Sequence, residues 1–165
     1  MENKLIKNIA EEIKSHLIEN QPIIIRHHND ADGICAGLAL EIAIGNFLEE
    51  EKINSQYKIF RKNCRAPYYS VEDALRDISL SSNMKKRKKE PLIVILDNGS
   101  TGEDLAGIKL LNANNSKVIV VDHHLPLIEN NVATISKFVK IHLNPHLFNL
   151  GEEYCAGVLA YEIAK

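Results

Sequence analysis

The sequence predicts an α/β fold with a mainly parallel sheet flanked by helices. Three short aliphatic runs, at 23–25, 92–96 and 118–121, have the continuous apolar pattern of strands that are buried on both faces of a parallel sheet. Segments with helical spacing of apolar residues lie between these runs. Such alternation is typical of a Rossmann-like sheet built from strand–helix–strand units.

The amino-terminal part of the chain is predicted to hold two helices and two strands. Apolar residues recur at helical spacing over 3–19, which predicts an amphipathic helix that Gln21-Pro22 ends. The first strand then begins at Ile23. After Gly33, residues 34–51 are apolar around most of the circumference, which predicts a largely buried helix. Residues 57–61 are predicted to be extended.

The carboxyl-terminal part continues the alternation. Ser70-Val71-Glu72-Asp73 resembles a capping box and predicts the start of a helix of about two or three turns. The basic block Lys85–Lys89, closed by Pro91, is predicted to be an exposed linker. The remaining predicted elements are a helix at 101–111, a strand at 118–121, a strand at 138–143, and a last helix that Glu152 or Glu153 opens and that runs to Lys165.

The composition is that of a soluble globular domain. The chain has 165 residues, 45% of them hydrophobic and 25% charged, and a formal net charge of −2. This balance does not by itself predict a nucleic-acid partner. The sequence shows neither a signal peptide nor an apolar stretch of membrane-spanning length, so we expect no membrane partner. Three widely separated cysteines predict reduced thiols that act as apolar filler in a cytoplasmic protein.

Polar residues follow the first aliphatic run. In His27-His28-Asn29-Asp30-Ala31-Asp32-Gly33, the side chains of His28, Asp30 and Asp32 lie at alternate positions and can point into one crevice. Gly33 lets the chain turn into the next helix without a Cβ clash. The same pattern also occurs in turns, helix caps and calcium loops, so this segment alone leaves those interpretations open.

Polar residues also follow the other two runs. Asp97 comes directly after the second run. At the end of a central strand, one carboxylate could bridge two metal ions. The following Asn98-Gly99 is also a common turn, so this segment alone leaves both interpretations open. Asp122-His123-His124 comes after the third run, and two adjacent histidines behind an aspartate are hard to explain as packing. Because the ligand crevice of an open α/β sheet lies at the carboxyl ends of its strands, we expect the three segments to converge.

The expected cluster has the chemistry of a metal site. Carboxylates and imidazoles without thiolates are a ligand set for Mn²⁺ or Mg²⁺. Such a cluster would hold two metal ions roughly 3.5–4 Å apart, the spacing of two-metal phosphoesterase sites. A histidine that donates to the phosphate would complete the support of the developing charge. The residues therefore favour hydrolysis of a phosphate ester.

In this order the segments resemble the DHH phosphoesterase family, and within it the RecJ-like single-strand exonucleases of the archaeal branch. The resemblance runs from about Ile23 to the end of the chain. The residues that carry it are His28–Gly33, Asp97–Gly99 and Asp122–His124, with weaker matches at Leu143–His146 and Tyr154–Gly157.

The resemblance implies a role for each site residue. It implies one Mn²⁺ held by His28, Asp32 and Asp97, and a second held by Asp30, Asp97 and His123. It also implies that His124 contacts the scissile phosphate. Asp122 is then expected to orient an imidazole from outside the set of metal ligands.

One expected ligand is not found in this chain. The family has a further aspartate ligand after the third motif and then a carboxyl-terminal substrate-binding domain, but no aspartate follows Asp122 here. We therefore expect residues 1–165 to be a DHH catalytic domain from a longer protein, with weak metal binding at the second site. Glu152 and Glu153 could replace the ligand, although helix capping is the favoured role for them.

Three functions remain open at this stage. The first is a nuclease that acts on single-stranded DNA or RNA. The second is a phosphoesterase for small substrates such as oligonucleotides, cyclic dinucleotides or pyrophosphate. The third is a scaffold that binds replication proteins, although the filled ligand positions argue against a loss of catalysis. The nuclease is supported by basic residues and by aromatic residues that could stack bases, namely Arg61, Lys62, Arg65, Lys85–Lys89, Tyr57, Phe60, Tyr68 and Tyr69.

Overall fold

The computed structural model describes residues 2–165, and the side chains of Glu2 and Glu152 lie outside that description. The helices in this part of the chain are α1 (Glu2–Ile18), α2 (Ala31–Glu50), α3 (Val71–Lys85), α4 (Leu105–Ala113) and α5 (Ala156–Ala164). The strands are β1 (Ile23–His27), β2 (Ile59–Asn63), β3 (Leu92–Leu96), β4 (Lys117–Val121), β5 (Ile128–Glu129), β6 (Val132–Ala133) and β7 (Ile141–Leu143).

Five of the strands form one parallel sheet in the order β2-β1-β3-β4-β7. This confirms the predicted α/β fold with a parallel sheet. The short strands β5 and β6 form a separate antiparallel pair. All five residues of β1 and of β3 are buried, as the aliphatic runs at 23–25 and 92–96 predict for most of them, and the burial of Arg26 and His27 extends beyond the first run.

Alternate residues of each strand face two different apolar cores. Ile23 and Ile25 face the core that contains buried residues of α1, α2 and α5. Ile24 lies between them in sequence and faces the core that contains buried residues of α3 and α4. The sheet is therefore covered on both faces, which leaves the loops at the ends of its strands as the place for a functional site.

Two of the predicted helices have different bounds in the structure. α2 begins at Ala31, three residues before the predicted start, because the side chain of Asp30 caps it by accepting a hydrogen bond from the amide of Gly33 at 2.9 Å. Ser70 caps α3 as predicted, but this helix extends to Lys85 and so includes the first residue of the basic block.

The predicted bounds in the last third of the chain are also corrected. α4 begins at Leu105, because residues 101–104 form a turn in which Asp104 accepts from the amide of Thr101 at 2.8 Å. The predicted strand at 138–143 is confined to β7. The prediction that a glutamate caps the last helix is wrong: residues 151–153 form a 3₁₀ turn, and α5 begins at Ala156.

Helix α2 is less completely buried than predicted. It packs against α5 and β1, but Ile34, Leu38 and Ile42 on its outer face are exposed. By length and composition alone α2 could cross a membrane, contrary to the prediction that no such stretch exists. One such helix is weak evidence for a membrane span, because the core helix of a soluble protein has the same composition.

The cysteines agree only in part with the prediction. All three are free thiols. Cys64 is buried, as expected of a small apolar filler, and burial raises its pKa to about 12. Cys35 and Cys155 are exposed, so the predicted packing role is wrong for these two.

Candidate metal centre

The three predicted motif segments meet at one edge of the sheet. β1, β3 and β4 are neighbours, and the polar segments follow their carboxyl ends directly. Asp97 follows the middle strand, and its amide donates to the carbonyl of Val121 on the neighbouring strand at 2.9 Å. Its backbone lies in the left-handed region with φ of +59°, which turns the chain sharply after the strand. The central strand thereby places the Asp97 carboxylate between the other two segments.

The Asp97 carboxylate is buried without a hydrogen-bond donor. The residue is 1% exposed, and neither of its two oxygens has a hydrogen-bond partner in the described part of the chain. Burial raises its pKa to about 8, and the negative charges of Asp32 and Asp30 contribute to the increase. A buried carboxylate in this situation requires a positive charge to stabilise its ionised form.

Asp97 belongs to two groups of potential metal ligands. His28, Asp30 and Asp97 offer ligand atoms within 4.8 Å of one another, and so do Asp97, His123 and His124. His28 Nδ1 lies 3.6 Å from one oxygen of Asp97, and His123 Nε2 lies 3.2 Å from the other. The carboxylate of Asp97 therefore stands between the two groups.

The structure reverses the pairing of the two motif aspartates that the resemblance implied. Asp30, not Asp32, lies beside His28, with 3.0 Å between Oδ2 and Nδ1. Asp32 lies on the side of His123, with 3.6 Å between Oδ2 and Nε2. The two aspartates are held in different places: Asp30 is the capping residue before α2, whereas Asp32, in the first turn of that helix, is held by amides at the start of α5.

Asp32 also performs the capping role that was predicted for the glutamates. Its two carboxylate oxygens accept hydrogen bonds from the amides of Ala156 and Gly157, at 2.8 and 2.7 Å. These amides are the first two of α5, whose own N-cap residue Cys155 provides no side-chain hydrogen bond. A carboxylate at a helix amino terminus is favourable, and here it also holds Asp32 close to His123.

Asp122 is a buried acceptor that positions the histidines. It accepts from the amides of Ser100, His123 and His124 at 3.0, 2.8 and 3.2 Å, and from Nδ1 of His124 at 2.8 Å. Burial alone would raise the pKa of Asp122, but the hydrogen bond from the His124 ring and the charge of that ring lower it. This geometry fits the predicted role of Asp122 in orienting an imidazole.

His124 differs in role from the other histidines of the cluster. Its hydrogen bond to Asp122 raises its pKa to about 9, although partial burial opposes the shift. Its Nδ1 lies 3.9 Å from the nearer oxygen of Asp97, but this nitrogen already donates to Asp122. The ring therefore leaves Nε2 for an external acceptor, which fits contact with a phosphate better than metal ligation.

The residues at this edge fit a divalent metal ion. Three carboxylates and three imidazoles converge there, and the central carboxylate lacks any hydrogen-bond donor among the described residues. Oxygen and imidazole ligands suit Mn²⁺ and Mg²⁺. The sequence model of the DHH family, N-terminal domain, matches residues 22–165.

This chain belongs to the DHH family.

Two relatives share more than a third of the sequence with this DHH chain. An uncharacterized protein of Methanocaldococcus jannaschii is 39% identical over 165 residues, which cover 96% of this chain and 22% of the relative. The DHH domain of a protein described as a member of the S1p family of ribosomal proteins is also 39% identical, with a TM-score of 0.89. That match covers 99% of this chain and 39% of the solved one.

A more distant structure shares the fold. RecJ of Thermus thermophilus, solved in complex with Mn²⁺, aligns over 98% of this chain with a TM-score of 0.65 and 18% identity. The DHH chain spans about a fifth of the curated relative and a fifth of RecJ. The DHH family is a family of phosphoesterases, and its fold is the one observed here.

A second set of polar residues supports the loop at Asp122–His124. The sequence patterns did not predict this supporting set. The side-chain amide of Asn144 donates to the carbonyl of His124 at 2.8 Å and to Oγ of Ser100 at 2.9 Å. That hydroxyl also lies 2.9 Å from Nε2 of His142, and burial lowers the pKa of His142 to about 4. Asn144 lay in a segment that resembled the family, whereas no sequence signal marked Ser100 or His142.

His27 is not part of the cluster, although it precedes His28. Its side chain is 2% exposed, and Nδ1 lies 2.7 Å from the carbonyl oxygen of His28. Nε2 lies 3.1 Å from a guanidinium nitrogen of Arg61, which also pairs with Glu41 at 2.6 Å. Burial lowers the pKa of His27, so its ring is a neutral packing and hydrogen-bonding group.

Proposed function

We propose that this DHH domain catalyses metal-dependent hydrolysis of phosphodiester bonds in single-stranded nucleic acid, with Mn²⁺ as the preferred ion and Mg²⁺ as the second candidate. The observation that carries the proposal is the buried, donor-free carboxylate of Asp97 between two groups of ligands. When bound, the ions would neutralise charge on the phosphoryl oxygens and make water a nucleophile at neutral pH.

The proposed ligands divide into two groups around Asp97. His28 and Asp30 would complete one metal site, and Asp32 and His123 the other. Backbone amides already hold both motif aspartates, since Asp30 accepts from Gly33 and Asp32 accepts from the start of α5. Carboxylates held in this way need little reorganisation to bind a cation or to support the reaction.

His124 is proposed to bind a non-bridging oxygen of the scissile phosphate through Nε2. The Asp122 carboxylate holds the other ring nitrogen, and the raised pKa of about 9 keeps the ring protonated at neutral pH. A positioned imidazolium of this kind stabilises the negative charge that develops on the phosphoryl group. Asp122 is then a positioning residue, because it acts on the substrate only through His124.

Only some of the predicted basic residues support binding of a strand at this edge. Lys62 and Arg65 are exposed at the carboxyl end of β2, where Asn63 is in register with His27 of β1. The block Lys85–Lys89 precedes β3 and therefore lies at the amino edge of the sheet. A five-residue strand separates the amino edge from the carboxyl edge by about 16 Å. Lys62 and Arg65 are thus the proposed contacts for the phosphate backbone.

A phosphoesterase for small substrates is the second candidate. The position of Lys85–Lys89 favours it, because this position removes the largest basic group from the neighbourhood of the metal centre. Short oligonucleotides, cyclic dinucleotides and pyrophosphate are the substrates to compare. For the proposed nuclease, RNA and DNA are equally favoured as substrates, since a relative at 39% identity is described as a member of a ribosomal protein family. Binding to replication proteins stays a separate proposal.

The decisive experiment compares cleavage of these substrates. End-labelled single-stranded DNA and RNA, a dinucleotide and pyrophosphate are incubated with Mn²⁺, Mg²⁺ or EDTA. We expect Asp97→Asn to reduce metal-dependent cleavage by on the order of 10²–10³. Glu11→Gln, an exposed change on α1, is the control and should leave cleavage unchanged. Cleavage in EDTA, or full activity of Asp97→Asn, would contradict the proposal, and cleavage of only the short substrates selects the second candidate.

A further inference from the structure

A cavity lies at the edge of the sheet opposite to the metal centre. It has a volume of about 620 Å³, within the range of sites for small molecules. Pro22 and Lys58, which line it, directly precede β1 and β2, and Met84 lies in the last turn of α3. None of the proposed metal ligands lines this cavity, so it is separate from the site described above.

Four cationic side chains line the cavity, and none of its described lining residues is acidic. They are Lys58, Lys86, Arg87 and Lys89. Two of them converge on one uncharged residue: the ammonium of Lys58 donates to the side-chain oxygen of Asn20, and the ammonium of Lys89 donates to the backbone oxygen of Asn20 at 2.7 Å. The cavity therefore carries concentrated positive charge.

Lys58 is an uncompensated cation. The residue is only 5% exposed, and the hydrogen-bond partners of its ammonium group and of that of Lys89 are uncharged oxygens of Asn20. Burial and the charge of Lys89 lower the pKa of Lys58. Burying a cation beside a second cation is unfavourable unless an anion joins them. An anionic group that reaches the depth of Lys58 would offset this cost.

The rest of the cavity is apolar and aromatic. Phe60, Leu80 and Met84 line it and belong to or pack against the core beneath α3. Tyr57 lies among the lining residues with 70% of its surface exposed. Flat rings stack on aromatic side chains, and an aliphatic wall favours the removal of such a ring from water. The lining thus suits a ligand that joins a phosphate to a flat ring.

We propose that this cavity binds a nucleoside phosphate, with the phosphate among the four cations and the base against the apolar wall. The site is independent of the proposed function, because it uses no residue of the metal centre. A free nucleotide and the terminal nucleotide of a strand share this chemistry. Binding requires no divalent metal, since the cations of the protein supply the positive charge.

The test is a binding titration in EDTA with ATP, AMP and a short single-stranded oligonucleotide. Lys86→Gln with Arg87→Gln removes two exposed charges at the rim without touching the core. Lys4→Gln with Lys7→Gln makes the same charge change on the exposed face of α1 and is the matched control. We expect the rim variant to bind at least about tenfold more weakly, the cost of one lost charge-assisted hydrogen bond, and the control to bind as the wild type does.

A further variant makes the result specific. Because the titration is carried out in EDTA, the proposed catalysis takes no part in it, and a failure of that catalysis does not affect this test. Tyr57→Ala should weaken ATP more than inorganic phosphate, because only ATP has a ring to stack. Tighter binding of ATP than of the oligonucleotide identifies a free nucleotide as the ligand. Tighter binding of the oligonucleotide identifies a strand end if the rim variant also weakens it, because a strand bound only through Lys62 and Arg65 at the opposite edge would not respond to the rim variant. The absence of binding by all three probes, or an equal loss in the control variant, would overturn the proposal.

Discussion

Asp97 combines two features that oppose folding. It is a non-glycine residue at positive φ, and its carboxylate is buried without a hydrogen-bond donor among the described residues. Each feature costs free energy, and such costs concentrate at functional sites. The charged form of His124, by contrast, is stabilised in the folded protein, because its ring donates a hydrogen bond to Asp122. Both side chains contribute to the pH dependence of stability above about pH 6.5.

In EDTA, we expect the free energy of unfolding to fall as the pH rises from about 6.5 to about 9, because below pH 6.5 the lowered pKa of His142, about 4, gives an opposing rise. The folded-state pKa of Asp97 is raised from 3.8 to about 8, so the folded protein retains a proton that the unfolded chain releases above pH 4. The pKa of His124 is raised from 6.5 to about 9, so its stabilising contribution is complete below pH 6.5 and is lost by pH 9. Urea unfolding at a series of pH values measures the trend.

The matched variant for this prediction is Asp97→Asn, which removes the titrating carboxyl. In EDTA at pH 8 it should be more stable than the wild type, and the difference should shrink toward pH 4. One unit of pKa corresponds to about 1.4 kcal/mol, so an effect of this origin is measurable. Added Mn²⁺ should reverse the order, because only the wild type retains the shared carboxylate. A wild type that is more stable than Asp97→Asn in EDTA at pH 8 would show that Asp97 has a donor in solution.

At the scale of elements, the first motif joins two helices to the metal centre. Asp30 caps α2, while Asp32 caps α5 from outside that helix. Each carboxylate is therefore placed by the amino terminus of a helix, where negative charge is stabilised. The close approach of the chain also explains Gly33, since a Cβ there would lie 2.4 Å from the carbonyl oxygen of His28.

Gly157→Ala tests whether the start of α5 positions Asp32. A Cβ at this position would lie 2.9 Å from Oδ1 of Asp32, so the carboxylate must move away from its present place near His123. We expect about a tenfold loss of Mn²⁺ affinity, as for other residues that support metal ligands. Gly45→Ala in α2 is the control: its Cβ meets nothing within 4 Å, so it should gain about 1 kcal/mol of stability with no change in metal affinity. Equal affinity in both variants would contradict this role.

A buried ion pair connects the sheet with α3. Arg26 of β1 donates to the Asp77 carboxylate through Nε and Nη2, at 2.8 and 2.7 Å, and Tyr69 donates to the same carboxylate at 2.9 Å. Both charged side chains are almost fully buried. Removing one partner would leave the other charge buried and unpaired.

We expect Arg26→Gln to lower the free energy of unfolding by about 3–5 kcal/mol, because Asp77 would lose its cation in the interior. Arg76→Gln is the control: Arg76 pairs with Asp73, but its side chain is 40% exposed, so the loss should stay below about 1 kcal/mol. Denaturation in urea at pH 7 compares the two variants. Similar losses would mean that the Arg26 pair contributes no more than a surface pair.

At the scale of the whole molecule, the two edges of the sheet carry different chemistry. The carboxyl edge holds the carboxylates and histidines, and the amino edge holds the cationic cavity. Lys62→Gln with Arg65→Gln should therefore raise the KM for a single strand and reduce the salt dependence of binding, by about 0.7 in the logarithmic slope for each lost phosphate contact. Lys86→Gln with Arg87→Gln should leave the KM for cleavage unchanged. A reversed pattern would place the substrate path on the opposite edge.

The sequence predicted most of the fold because β1 and β3 contain uninterrupted aliphatic runs. Such runs are typical of strands that are buried on both faces of a parallel sheet. It also predicted the residues that meet at the metal centre, since parallel strands share one carboxyl edge. It failed where a long-range contact decides the outcome. Asp32 caps a helix more than a hundred residues away, and no local pattern contains that contact. The pairing of the aspartates, the start of α5 and the support from Asn144 all depend on such contacts.

We propose that the carboxylate of Asp97 is shared by two metal sites. The most direct test is to titrate the protein with Mn²⁺ and record calorimetry and electron paramagnetic resonance for the wild type, Asp97→Asn and Glu11→Gln. We expect two ions, the second bound more weakly than the first, with a magnetically coupled spectrum for the wild type and Glu11→Gln, and loss of the coupled pair in Asp97→Asn. A coupled pair that persists in Asp97→Asn, or a wild type that binds no Mn²⁺, would contradict it.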